Sequence, residues 1–262
     1  MAKKLYKGIL ADLDGTVNRG RLLIEGADHV YKELSGRGIR WMFVSNGATS
    51  LASDLARKLR EMGLPVSEDQ VVNSAAPLIR VLKQEYYRAR VMVVGEPRLV
   101  EGVRGAGAMV TDDPMEIEIV ISALDREFTY EKLKRAHQAI QRGAQFWATN
   151  LDATFPSADG FLPGAGSVAA SIITAAGRPP DRVFGKPYPD MAFLALDVLG
   201  LSPEECLVVG DRMETDVLFA KNAGMDSALV LTGASSREQL KDFPQSPQYV
   251  FDSIVDVASL FD

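Results

Sequence analysis

Four times along the chain a short apolar run ends abruptly in polar residues, and this repeat restricts the fold more than any other feature. Ile9-Leu10-Ala11 leads into Asp12-Leu13-Asp14-Gly15-Thr16, and Trp41-Met42-Phe43-Val44 leads into Ser45-Asn46. Val183-Phe184-Gly185 precedes Lys186, and Cys206-Leu207-Val208-Val209-Gly210 precedes Asp211. Short apolar runs bounded by turn residues and alternating with helical patterns read as buried strands of a parallel sheet. In an open parallel sheet, ligands bind outside the carboxyl ends of the strands. The four clusters therefore converge on one site holding carboxylates, hydroxyl and amide donors, and one ammonium. That inventory suits a metal ion and a phosphate.

The first segment reads β-α-β-α. A helix from about Gly26 to Leu34 stops at Gly36, and a second carries Leu51, Leu55, Leu59 and Met62 at helical spacing before Gly63. Val71-Val72 is a further strand. The middle segment repeats the alternation in its own right. Strands are expected at Arg90–Val94, Ala108–Val110 and Phe146–Thr149, and a helix from Phe128 to Arg142. Glu116–Ile121 alternates polar and apolar residues, which predicts one exposed face or an edge position. Pro163–Ser167, a glycine-rich turn before a helical stretch over Val168–Ala176, reads as the connection from the inserted domain back to the core, Gly102–Gly107 as a similar glycine-rich turn, and Asp112-Asp113-Pro114 as a solvated turn. The last segment returns to the first pattern, with helices at Met191–Leu199 and about Thr215–Ala223 and a strand at Ala228–Leu231. The fold class is α/β. A Rossmann-like doubly wound parallel-sheet core, residues 1–74 and 182–262, is interrupted by an inserted α/β domain, residues 75–181.

With 262 residues the chain suits one large domain or two smaller ones. The net charge of −6 offers no large positive field, so nucleic acid is not expected as a partner. The one cysteine, Cys206, excludes a disulfide framework, lies in an apolar run and is expected to be buried. The start Met1-Ala2-Lys3-Lys4 leads into a strand and Asp12, not into a signal-peptide core. Nowhere do about 18 apolar residues run together, so no membrane span is expected and cytoplasm is the default location. His29 and His137 fall among charged residues in helical patterns and read as surface positions, which leaves little room for histidine catalysis.

On an extended strand residues i and i+2 share a face, so Asp12 and Asp14 address the same ligand. Gly15 lets the backbone turn away, and Thr16 is placed to cap the next turn of chain. Two carboxylates would repel a phosphate dianion unless a hard cation intervenes, and Mg2+ is the usual choice beside phosphates. Asp211 brings a third carboxylate from another strand end. One carboxylate can attack phosphorus, and another can protonate the leaving oxygen and later take a proton from water. Lys186 provides a point charge for phosphate oxygens, and Ser45 and Asn46 provide donors. Rival readings are a phosphotransferase or phosphomutase on the same scaffold, a non-catalytic phosphate-binding regulator, and, more remotely, a receiver-like domain.

Together, Asp12-Leu13-Asp14-Gly15-Thr16, Ser45-Asn46, Gly185-Lys186-Pro187 and Gly210-Asp211-Arg212-Met213-Glu214-Thr215-Asp216 resemble the four motifs of the haloacid dehalogenase superfamily. The inserted segment looks like the C2-type cap of its NagD-like and p-nitrophenyl phosphatase subgroup, and the resemblance covers nearly the whole chain. It implies that Asp12 is the nucleophile and Asp14 the general acid/base. Asp12, the backbone carbonyl of Asp14, and Asp211 would bind Mg2+, and Ser45, Asn46 and Lys186 would hold the phosphate. Asp216 would orient Lys186 or water on the metal. Thr149-Asn150-Leu151-Asp152 resembles the subgroup's Thr-Asn-x-Asp stretch, with Leu151 where Pro is commoner. By that analogy Asn150 and Asp152 touch the leaving group. The resemblance further implies a Mg2+-dependent phosphomonoesterase for small phosphorylated metabolites, with p-nitrophenyl phosphate as an artificial substrate and a cap domain closing over the phosphate. Related proteins often form homodimers through the cap.

Overall fold

In the computed structural model, residues 5–157, 160–241 and 243–261 are described. They form two compact units, Met1–Ser45 with Ala52–Val72 and Lys186–Asp262, and Asn46–Leu51 with Asn73–Gly185. The first stretch of chain contributes β1 (Gly8–Asp12), β2 (Asn18–Arg19), β3 (Leu22–Leu23), α1 (Ala27–Gly36), β4 (Arg40–Ser45), α2 (Ala52–Glu61) and β5 (Val71–Asn73). There follow α3 (Ala75–Glu85), β6 (Arg90–Val94), α4 (Pro97–Gly105), β7 (Met109–Val110), β8 (Ile119–Ser122), α5 (Tyr130–Gln141) and β9 (Gln145–Ala148). Then come β10 (Thr154–Ser157), β11 (Gly160–Pro163), α6 (Ala165–Ala176) and β12 (Arg182–Val183). The chain ends with α7 (Asp190–Leu199), β13 (Cys206–Gly210), α8 (Leu218–Asn222), β14 (Asp226–Val230) and β15 (Tyr249–Phe251). Among the described residues no helix is long and apolar enough to cross a membrane.

The first unit is built on a six-stranded sheet in the order β15-β14-β13-β1-β4-β5. β1 pairs in parallel with both β13 and β4, and its residues are buried throughout. Ile9, Ala11, Trp41, Phe43, Leu207 and Val209 join one apolar cluster with Leu34 of α1 and Leu59 of α2. The alternate residues Leu10, Met42 and Val208 are equally buried. They share a face with Gly8, whose α-carbon is approached by Leu199 and Leu201 at the end of α7. Helices therefore cover both faces, which is why the strands read as continuous apolar runs.

The second unit repeats this plan on a five-stranded sheet, β12-β9-β8-β6-β7, with parallel pairing throughout. One face packs Val91, Ile119, Ile121 and Trp147 against Leu78, Leu82, Leu99 and Val103 of α3 and α4. The other packs Met92, Val94, Val120 and Phe146 against Ala136, Ile140, Val168 and Ile172 of α5 and α6. Trp147 is edge-on to Tyr86 at 5.1 Å and to Phe184 at 5.5 Å between ring centroids. Such pairs contribute about 0.5–1.5 kcal/mol each beyond the area they bury.

Several sequence expectations are corrected. Arg182-Val183 is not a strand of the first sheet. It pairs with Trp147 and Ala148 of β9, so residues 182–185 belong to the second unit, as do 46–51. The exposed face expected for Glu116–Ile121 is absent, because β8 starts only at Ile119, lies between β9 and β6, and is buried at every residue. The alternation belongs to the approach, where Glu116 and Glu118 are exposed and Ile117 is buried. Gly102 and Gly105 lie in α4 and not in a turn. Pro163–Ser167 does not lead back to the core: Pro163 ends the antiparallel hairpin β10–β11, Gly164 is the N-cap of α6, and α6 begins at Ala165 inside the second unit. His137 is half-buried, although His29 is exposed as expected.

Candidate active site

Parallel register brings the strand ends level. Ala11 pairs with Phe43 and Val209, and Asp12 with Val44, so Asp12, Ser45 and Asp211 emerge together at the carboxyl edge of β1, β4 and β13. Lys186 reaches the same place from outside this sheet. Its side chain is 3% exposed, and its ammonium donates to Asp12 Oδ1 and, at 2.6 Å, to Asp216 Oδ1. Carboxylate oxygens of Asp12, Asp211 and Asp216 all lie within 4.8 Å of one another.

Asp216 is delivered by a π-helical turn, Met213–Val217, that stands where the sequence pattern predicts an ordinary helix from Thr215. Val217 N donates to Arg212 O, the wide i to i−5 spacing of such a turn, and turns of this kind occur often at functional sites. The Asp216 carboxylate folds back to accept from Arg212 N at 3.1 Å while its other oxygen accepts a hydrogen bond from the Lys186 ammonium. Both its oxygens thus have partners, in keeping with a role in orienting Lys186.

Burial dominates the electrostatics. It pushes the Asp12 carboxyl well above the usual carboxylate range, against the pull of Lys186, and Asp216 and Asp211 push the same way. Asp211 is pushed up to about 6, by burial and then by Asp216, although Ala234 N–H lowers it. Burial pulls the Lys186 ammonium down, but the charges of Asp12 and Asp216 outweigh it and the net shift is upward. Three carboxylates stand against one ammonium, an excess of negative charge in a nearly dry site that a divalent cation would neutralise. The donor set is all oxygen, which fits Mg2+.

Asp14 is exposed and stands apart from that carboxylate cluster, with Asn18 Nδ2 donating to its Oδ1 at 2.8 Å. Gly15 makes the turn with φ 99°, close against Asp211. Thr16 does not cap a helix: its hydroxyl is buried with no hydrogen-bond partner among the described residues. In the second unit, Asp152 accepts from Asn46 Nδ2 with both oxygens, at 3.2 and 3.0 Å. Asn150 Nδ2 donates to Asn46 O at 2.7 Å, and Asn150 Oδ1 accepts from Asp152 N at 3.0 Å. Asn150 therefore joins Asn46 to its own turn, and Asp152 holds the Asn46 side chain.

The loop after β14 is part of the site, and no sequence motif drew attention to it. Ala234 N donates to Asp211 Oδ2 at 2.6 Å, Ser235 N donates to Asp211 O, and the Thr232 hydroxyl donates to Gly15 O at 2.6 Å. A Cβ on Gly233 would lie 2.0 Å from Asp211 Oδ2. The available signal was that Thr232-Gly233 comes after an apolar strand at the same sheet edge.

The family profile described as haloacid dehalogenase-like hydrolase matches residues 9–109, and a HAD-hydrolase-like profile matches residues 183–257. The sugar-phosphatase AraL of Bacillus subtilis is 38% identical over 253 residues, covering 97% of this chain and 92% of its own. The structure of a p-nitrophenyl phosphatase from Archaeoglobus fulgidus superposes with a TM-score of 0.91 at 34% identity, covering 97% and 99% of the two chains. A glycerol phosphate phosphatase from Mycobacterium tuberculosis, in complex with magnesium, gives 0.87 at 34% identity, covering 97% of this chain and 76% of its own.

Proposed function

The chain belongs to the haloacid dehalogenase-like hydrolase family and is a phosphatase of small phosphate esters, and we propose that it is a Mg2+-dependent phosphomonoester hydrolase working through an aspartyl-phosphate on Asp12. The observation that carries this reading is the Lys186 ammonium shared by Asp12 and Asp216, with Asp211 in the same carboxylate cluster. Lys186 orients Asp12 and keeps a positive charge where phosphate oxygens arrive. Ser45 and Asn46 are assigned as donors to those oxygens.

One Asp12 oxygen bonds to phosphorus as the bond from phosphorus to the leaving oxygen breaks, and Asp14 gives that oxygen its proton. Water then attacks phosphorus, Asp14 takes a proton from it, and inorganic phosphate leaves with the Asp12 carboxylate regenerated. Mg2+, held by Asp12, Asp211 and the Asp14 carbonyl, would offset the negative charge of carboxylates and phosphate. The second unit, which carries the turn of Asn150 and Asp152, is assigned the role of substrate-selecting cap. Sugar phosphates and glycerol phosphates are the first substrates to try, given the names of the similar proteins. The lone buried thiol of Cys206 fits a reducing compartment, and we assign the protein to the cytoplasm.

The test is phosphate release from p-nitrophenyl phosphate by the wild type and Asp12→Asn, each with Mg2+ and with EDTA. Release that needs both Asp12 and the metal is expected. Metal-independent release that survives Asp12→Asn would overturn the assignment of the nucleophile.

A further inference from the structure

We propose that Asn18 is the positioning residue for Asp14, holding its carboxylate in the rotamer from which it exchanges a proton with the leaving oxygen. The inference rests on the phosphatase reading and adds a residue to it. Asp14 is exposed, and among the described residues no group other than Asn18 bonds its carboxylate. An exposed aspartate left to itself samples several rotamers, and ordering it costs entropy. Asn18 is fully buried at 0% exposure, so its own side chain is fixed by packing.

The direction of the amide is set by its partners. Nδ2 lies 2.8 Å from Asp14 Oδ1 and 3.1 Å from Gly20 O, and both of these are acceptors, so the amino end must face them. That choice leaves Asn18 Oδ1 buried without a hydrogen-bond partner among the described residues. A buried unsatisfied oxygen is a cost that an apolar side chain of the same size would not incur. The turn does not need the amide either. Leu13 O already accepts from the backbone N–H groups of Thr16, Val17 and Asn18, and Gly15 N donates to Asn18 O at 2.7 Å. Backbone bonds close the loop, and the side chain adds a longer bond to Gly20 O and the shorter one to Asp14. Because only Oδ1 is engaged, Oδ2 remains for the proton.

A group that steadies the general acid matters most when the leaving oxygen is a poor leaving group. The decisive comparison is therefore kcat/KM for an alkyl ester, glycerol phosphate, against p-nitrophenyl phosphate, a good leaving group. This ratio isolates steps up to formation of the phosphoenzyme, before the two substrates share an intermediate. Asn18→Leu, which keeps the branched outline of the side chain, and Asn18→Ala, which relieves any crowding, are each made alone and with Asp14→Asn, and all variants are checked by thermal melting. Out of the 10²–10⁴ that a general acid supplies, each Asn18 variant is expected to lose about 10- to 100-fold on glycerol phosphate and under about 3-fold on the aryl ester. Added to Asp14→Asn, either substitution should cost nothing further, as for residues acting through one group. Equal losses on both esters, or a full additional loss on top of Asp14→Asn, would overturn the proposal. A wild type that cleaves neither ester, with Mg2+ present, would instead sink the phosphatase reading and the role of Asn18 together.

Discussion

Replacing Lys186 by Met removes the one positive charge from a buried cluster while leaving an unbranched side chain to fill its space. Two carboxylates lose their shared donor, Asp12 Oδ1 and Asp216 Oδ1, and neither has bulk water to turn to. Taking one partner from a buried ion pair costs about 3–5 kcal/mol. At pH 8 this should lower the melting temperature by about 6–12 °C, taking roughly 2–4 °C per kcal/mol for a chain of this size and the low end of that range. The deficit should depend on pH in a defined direction. Asp12 is already held above its ordinary 3.8 by burial, and loss of Lys186 removes the charge that pulls it down. A carboxyl raised in the folded state contributes stability that is complete below its unfolded value and is lost as pH rises through the folded one. The variant therefore regains stability on acidification from pH 8 toward 4, by at most about 1.4 kcal/mol per pH unit. In the wild type, Lys186 stays charged across this window, far below even its ordinary 10.5. Thermal melts of both proteins in EDTA at pH 8, 6 and 4.5 read the difference directly. Equal melting temperatures at pH 8, or a deficit that widens as pH falls, would refute the reasoning.

The metal ligands and the core supply two more expected outcomes. Gly233→Ala places a Cβ 2.0 Å from Asp211 Oδ2 and must displace that carboxylate. A Mg2+ titration followed by melting temperature should raise the wild type, and the variant should need about 10–100-fold more metal for the same rise, as when a ligand's support is removed. Superimposable titrations would mean that Asp211 does not hold the ion. The Cys206 thiol, fully buried and pushed up to about 12 chiefly by burial, should resist iodoacetamide at pH 8 in the native protein and react fully after denaturation. Native labelling within minutes, read by intact mass, would contradict its place in β13.

Much of the site was legible because it depends on short-range pattern. The apolar runs before Asp12, Ser45 and Asp211 are strands buried on both faces, and parallel register carries their last residues to one edge. No partner needs to be known for that step. Lys186 was legible as a residue but not as a place. A two-residue strand has no periodicity to show which sheet it joins, and β12 pairs with β9 through Trp147 and Ala148. The alternating Glu116–Ile121 stretch misled for a related reason, since three approach residues and three buried strand residues together imitate a half-exposed strand.

The composition and spacing of this chain determined its class, two helix-covered parallel sheets, and the acidic, ammonium-bearing chemistry at the end of one of them. The tertiary structure alone decided how that chemistry is held. It ties Lys186 to Asp216 through a π-helical turn, seats Asp211 against the loop at Gly233 and Ala234, and gives Asp14 a partner in the buried Asn18. Strands and helices announce themselves because their periods repeat over neighbouring residues. The bonds that aim a carboxylate are single contacts, several of them between residues far apart in the chain, and no local period records them.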